Sequence, residues 1–126
     1  MTINELKDLF EQEFKIIRDI FAVLIVPAPD AAKSNEKYIW HPGVYVWWHP
    51  EYGVVKVGRH FTNSRKRALE HIRDNTDNKL RDIGQDTSAK LILINVKDLK
   101  DYHWVAAVEI FLEDNTDPKI KSKRKG

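Results

Sequence analysis

Ile3, Leu6, Phe10, Phe14, Ile17, Ile20, Phe21 and Leu24 recur mostly at three- and four-residue intervals, the spacing that lays one apolar stripe along a helix. The pattern predicts an amphipathic helix over residues 3–24, with Asn4 able to cap its start and Lys7 and Asp8 in the first turn. Pro27 and Pro29 end it, because neither can continue the hydrogen-bond ladder. Residues 28–42 then read as a connection, with Ala31-Ala-Lys-Ser-Asn35 as loop or short helix.

The period changes after Pro42. Gly43-Val-Tyr-Val-Trp-Trp48 is rich in β-branched and aromatic residues, and Val54-Val-Lys-Val57 continues the strand composition. His49-Pro-Glu-Tyr-Gly53 between them supplies turn chemistry, with Gly53 free to take positive φ. The two runs therefore predict an antiparallel hairpin. Thr62, Asn63 or Ser64 can cap a helix running to about Asp74, with Ala68, Leu69 and Ile72 turned to the core. Residues 77–88 are polar and read as short helix or loop. Leu91-Ile-Leu-Ile-Asn-Val96 is a strand apolar enough to be central or well covered. Asp98 or Asp101 can start a last helix whose apolar body is Val105–Leu112, with Pro118 beyond its end. This order predicts an α+β domain: a small antiparallel three-stranded sheet flanked by helices, with an extra N-terminal helix.

Length adds that 126 residues make one compact domain. Its expected parts are an N-terminal helix and connection over 1–38, the main domain over 39–118 and a basic tail over 119–126. The absence of cysteine excludes a disulfide scaffold, a thiol nucleophile and thiolate-bound zinc, and suits a reducing compartment. Ile20–Val26 is too short to cross a bilayer and follows an acidic segment, so it is not read as a secretory signal. A cytoplasmic location and no membrane partner are expected.

The net charge of +2 says little, but its distribution says more. Residues 56–73 hold six bases (Lys56, Arg59, Arg65, Lys66, Arg67, Arg73) against Glu70 alone, and Lys119–Lys125 holds five bases and no acid. Two such blocks suit a polyanionic partner. A solvated helix face and a plain tail would carry the same charges.

Gly43-Val44-Tyr45 on the first strand of the hairpin and Lys56-Val57-Gly58 on the second resemble the two halves of the GIY-YIG nuclease motif. Arg67 and His71 follow on one face of the next helix, similar to the arginine and histidine that such nucleases carry there. Glu109, nine residues before Pro118, resembles the metal-binding glutamate of excision-repair incision nucleases and the proline at their helix exit. The resemblance covers about residues 42–121. It departs at Lys56, where the pattern has its second tyrosine, and near Lys121, where it has an asparagine. One extra residue stands between Gly58 and the helix.

The resemblance implies a Mg²⁺- or Mn²⁺-dependent endonuclease acting on DNA, with Tyr45, Lys56, Arg67 and His71 catalytic and Glu109 binding the metal. Tyr45 would take the proton of the attacking water, and Lys56 across the hairpin could favour its phenolate. Arg67 suits the scissile phosphate because a guanidinium is permanently charged and bidentate. Glu109 interrupts an apolar run. It would either hold a largely hydrated Mg²⁺ or belong, with Glu113, to an exposed stripe. Arg59, His60, Arg65, Lys66, Lys119 and Lys121 are the expected nucleic-acid contacts. The four tryptophans are core residues or, in part, surfaces on which bases of an opened strand could stack. The alternative is a catalytically degenerate module that binds nucleic acid or a protein partner. A homodimer or partner protein reached through the N-terminal helix fits either reading.

Overall fold

The computed structural model describes residues 1–74 and 78–122. The chain is α+β, with four antiparallel strands in one sheet of order β1-β4-β2-β3. These are β1 (Phe21–Pro27), β2 (Gly43–His49), β3 (Gly53–His60) and β4 (Lys90–Val96). Among the described residues four α-helices accompany them: α1 (Ile3–Glu13), α2 (Ser64–Asp74), α3 (Asn78–Gln85) and α4 (Trp104–Thr116).

The sheet has four strands, not the three expected, because the first helix stops early. α1 ends at Glu13, a 3₁₀ turn covers Arg18–Ile20, and the chain then enters β1. In β1, Phe21 and Val23 pack on one face of the sheet, and Leu24 and Val26 pack on the other. That alternation is available only to a strand. Pairing with β4 along its length, from Phe21↔Val96 to Pro27↔Lys90, fixes it at a sheet edge. Pro27 closes the strand where the missing amide costs least. The α1 cap is Thr2 and not Asn4: its hydroxyl accepts from the Glu5 amide at 3.1 Å while the Glu5 carboxylate accepts from the Thr2 amide at 2.9 Å. This reciprocal pair satisfies two donors that a helix start leaves open.

The hairpin turns at Gly53, whose φ of +72° is the left-handed value expected of it. A register shift at Trp47/Trp48 leaves Val55 as the extra residue of β3. One face of the sheet carries Val44, Val46, Val54, Val57, Ile92 and Ile94, covered by Leu6 and Phe10 of α1 and Val105, Val108 and Leu112 of α4. Burying Phe10 alone contributes about 2–3 kcal/mol. The apolar face of α1 is thus occupied within its own chain. The other face carries Tyr45, Trp47, Val55, Leu91 and Leu93 beneath Ala68 of α2 and Ile83 of α3. β4 is central, as its unbroken apolar run requires.

The outer edge of β3 is partly covered by the segment after α4. Asp117 takes a left-handed turn (φ +49°), and the Lys119 and Ile120 amides then donate to the Val54 and Val55 carbonyls at 3.2 and 2.8 Å. This satisfies edge groups that would otherwise be open for pairing. Among the described residues no helix is long and apolar enough to cross a membrane.

Candidate functional site

The glycines of the two motif triplets are there for clearance. Gly43 lies against β4: a Cβ there would stand 2.5 Å from the Ile94 carbonyl oxygen and nearer still to the Asn95 side-chain oxygen. Asn95 is fully buried and cannot yield easily. Its Oδ1 accepts from the Ser64 hydroxyl at 2.5 Å, and its Nδ2 donates to the Tyr38 carbonyl at 2.9 Å. That node pins the start of α2 to the centre of the sheet. Gly58 faces Tyr45 across the hairpin. A Cβ at 58 would come within 2.7 Å of the Tyr45 Cε1 and closer to Cζ and the hydroxyl. The phenol therefore crosses β3 over a bare backbone and reaches toward its outer edge.

The His71 ring lies beside that phenol, and the charges of Arg67 and Glu109 act on it. Tyr45 is 3% exposed. Burial pushes its pKa up to about 12, the Arg67 guanidinium pulls against that shift, and the Glu109 carboxylate adds to it. Arg67 and His71 come from α2, held by Asn63, whose Oδ1 accepts from the Lys66 amide at 3.0 Å as the helix cap. The His71 ring centroid is 6.5 Å from that of Tyr45. Burial holds His71 below its ordinary value, and the positive charges of Lys56 and Arg67 lower it further. His71 is therefore neutral at pH 7. The Lys56 side chain is buried on β3 and its charge acts on His71. The charges that act on Tyr45 are Arg67 and Glu109.

Glu109 arrives from α4, on the opposite face of the sheet from α2. It is 3% exposed, and its Oε2 accepts from the Arg59 Nη1 at 3.1 Å. A carboxylate so buried requires such a partner. Glu113, one turn on, is buried as well. Its Oε1 accepts from the Ser122 amide, while Oε2 is buried with no hydrogen-bond partner among the described residues. The two glutamates are therefore not an exposed stripe. Nothing in the sequence marks the Arg59–Glu109 pair, whose members stand fifty positions apart.

Among the described residues no group of three or more His, Asp or Glu is placed to hold a metal ion. Glu109 by itself offers a hard oxygen donor, which fits Mg²⁺ bound through one carboxylate, substrate phosphate oxygens and waters. It would not fit a metal that requires a protein cage. Bound there, the ion would supply charge for the phosphoryl oxygens, in competition with Arg59 for the same carboxylate.

The remaining expected contacts divide. Arg59 borders the site. His60 is occupied locally, its Nδ1 accepting from the Thr62 and Asn63 amides at 3.3 and 3.1 Å. Arg65 donates to the Ser34 carbonyl at 2.7 Å and lies over the Trp40 ring. Lys66 is exposed on α2. Lys119 is tied by its backbone to Val54 on the hairpin-turn half of β3, and Lys121 pairs with Asp117. Neither lysine joins the Tyr45 cluster. The tail beyond Ser122 lies outside the described residues. Trp47 is fully buried and the Trp48 indole donates to the Met1 carbonyl at 2.8 Å, whereas Trp40 and Trp104 are exposed. The chain matches no family model, no curated protein and no solved structure.

Proposed function

We propose that this chain is a GIY-YIG-type endonuclease domain that hydrolyses phosphodiester bonds in DNA with the help of a divalent cation. One observation carries the reading: Tyr45 lies over the bare backbone of Gly58 with the His71 ring 6.5 Å from its own, and the charges of Arg67 and Glu109, which stand far apart in the sequence, both act on that phenol. A core built for stability alone has no need of a phenol, an imidazole, a guanidinium and a carboxylate at one sheet edge.

In this reading the scissile phosphate lies against Arg67, whose side chain is 45% exposed and whose ion pair among the described residues is a loose 3.6 Å contact with Glu70. Neutral His71 is the better proton acceptor for the attacking water, since a phenol near 12 stays protonated at neutral pH. Tyr45 orients that water through its hydroxyl. Burial, helped by the Lys56 charge, keeps His71 unprotonated, and Lys56 adds positive charge where phosphoryl oxygens become more negative. Glu109 would hold Mg²⁺ or Mn²⁺.

Single-turnover cleavage of a labelled duplex tests the assignment of Arg67. Arg67→Ala should slow it by about a hundredfold or more, and Arg67→Lys should recover only part of that. A rate within twofold of wild type in Arg67→Ala would remove Arg67 from the site.

A second reading is favoured by the Arg59–Glu109 ion pair. There an arginine already neutralises the carboxylate that a cation would use. A domain that binds nucleic acid without cutting it would retain DNA affinity in EDTA and never nick plasmid.

A further inference from the structure

Gly43 pairs with His60 and with Asn95, so the start of β2 and the ends of β3 and β4 share one end of the sheet. The segments leaving that end carry Trp40, Phe61, Tyr102 and Trp104, four of the five exposed Phe, Tyr and Trp side chains among the described residues. The fifth, Tyr52, sits in the hairpin turn at the other end, stacked on His49. Three of the four form a connected row. Phe61 and Tyr102 meet with ring centroids 6.0 Å apart, Tyr102 and His103 at 6.2 Å, and His103 and Trp104 at 5.1 Å. Phe61, Tyr102 and Trp104 are 44%, 50% and 37% exposed.

The row begins at the site. The Arg59 guanidinium that bonds Glu109 lies 5.4 Å from the centre of the Phe61 ring. At the same end Arg65 lies 5.4 Å from the centre of the Trp40 ring. A contiguous run of exposed rings marks a contact surface more readily than rings scattered singly. Exposed rings with a guanidinium over Phe61 at one end of the row, and a second over Trp40 at the same end of the sheet, suit planar bases on a negatively charged backbone. A paired duplex hides the faces of its bases, so such rings can be used only where bases are unpaired.

We infer that the row Phe61–Tyr102–Trp104 stacks on unpaired bases beside the scissile phosphate. The preferred substrate is then DNA with a gap, flap or single-stranded junction, not continuous duplex. This rests on the nuclease reading above and specifies its substrate class.

The test is fluorescence anisotropy in EDTA with the full chain and two labelled DNAs of one sequence, one continuous and one with a short single-stranded gap. Wild type should bind the gapped DNA about tenfold more tightly. Tyr102→Ala and Phe61→Ala should each weaken that binding by about five- to tenfold, Tyr102→Phe should restore it, and Tyr52→Ala should leave it intact. All three substituted rings are exposed, and circular dichroism checks that each variant folds. Equal affinity of wild type for the two DNAs, or gapped-DNA binding indifferent to Tyr102→Ala, would overturn the inference while the nuclease reading stands. Self-association lost in Tyr102→Ala, with no preference for gapped DNA, would assign the row to a second copy of the chain and overturn it equally. No binding of either DNA would sink both.

Discussion

Replacing Gly58 with alanine adds one carbon to the strand that the Tyr45 ring crosses. The new Cβ would stand 2.7 Å from Cε1 and closer to Cζ, where carbon atoms in contact ordinarily sit about 3.5–4.0 Å apart. The ring would have to retreat by about 1.5 Å or more to restore an ordinary contact at Cζ, into a face of the sheet already filled by Val55, Ala68 and Leu93. Overpacking of this kind costs about 1–3 kcal/mol. Alanine recovers about 0.5–1 kcal/mol of that through its smaller backbone entropy loss in a strand. A net destabilisation of about 1–2 kcal/mol should appear in urea unfolding as a lower midpoint with unchanged slope. In a Tyr45→Val background the shortened side chain no longer reaches position 58. The same alanine should then be neutral or slightly stabilising, giving a coupling of about 1–3 kcal/mol across the double-mutant cycle. Equal destabilisation in the two backgrounds would show that the glycine does not serve the tyrosine.

Tyr45 should also betray itself in alkali. With a folded value near 12 against 10 in the unfolded chain, the folded state holds the phenol proton more tightly. Stability from this group is full below pH 10 and lost as pH rises toward 12, by about 3 kcal/mol in the limit; the corresponding slope should be absent in Tyr45→Phe, and an identical slope in that variant would contradict the burial argument. The cleavage rate should climb with pH only below about 6.5, as His71 loses its proton, and then run level to about pH 9. A rate that instead climbs about tenfold per pH unit through that range would return the role of base to Tyr45.

How much of this was legible before folding depended on whether the signal was local. The hairpin, the end of α4 and the placing of Arg67 and His71 one turn apart follow from short-range chemistry, and the structure has them where the pattern puts them. The first strand was hidden because Ile17, Ile20, Phe21 and Leu24 continue a helical spacing, while Ile20–Val26 is also a continuous apolar run. Val23, Ile25 and Val26 were the counter-signal, since β-branched side chains favour strands. The sheet settles the matter by offering β4 as a partner. The Lys56 charge acts on His71 because Lys56, paired with Trp47, lies on the sheet face that α2 covers, which spacing along the chain does not specify. The burial of Glu109 and Glu113 was equally invisible. Alternating carboxylates on a helix look like a wet face until Arg59 and the Ser122 amide are brought to them.

The central claim is that Glu109 and the groups around Tyr45 form a cation-assisted phosphodiesterase. Nicking of supercoiled plasmid in Mg²⁺ or Mn²⁺, wild type beside Glu109→Ala, tests it most directly. The account predicts conversion to open circles by wild type and a loss of about a hundredfold or more in the variant, with circular dichroism unchanged. No nicking by wild type with either ion, or an undiminished rate in Glu109→Ala, would contradict it.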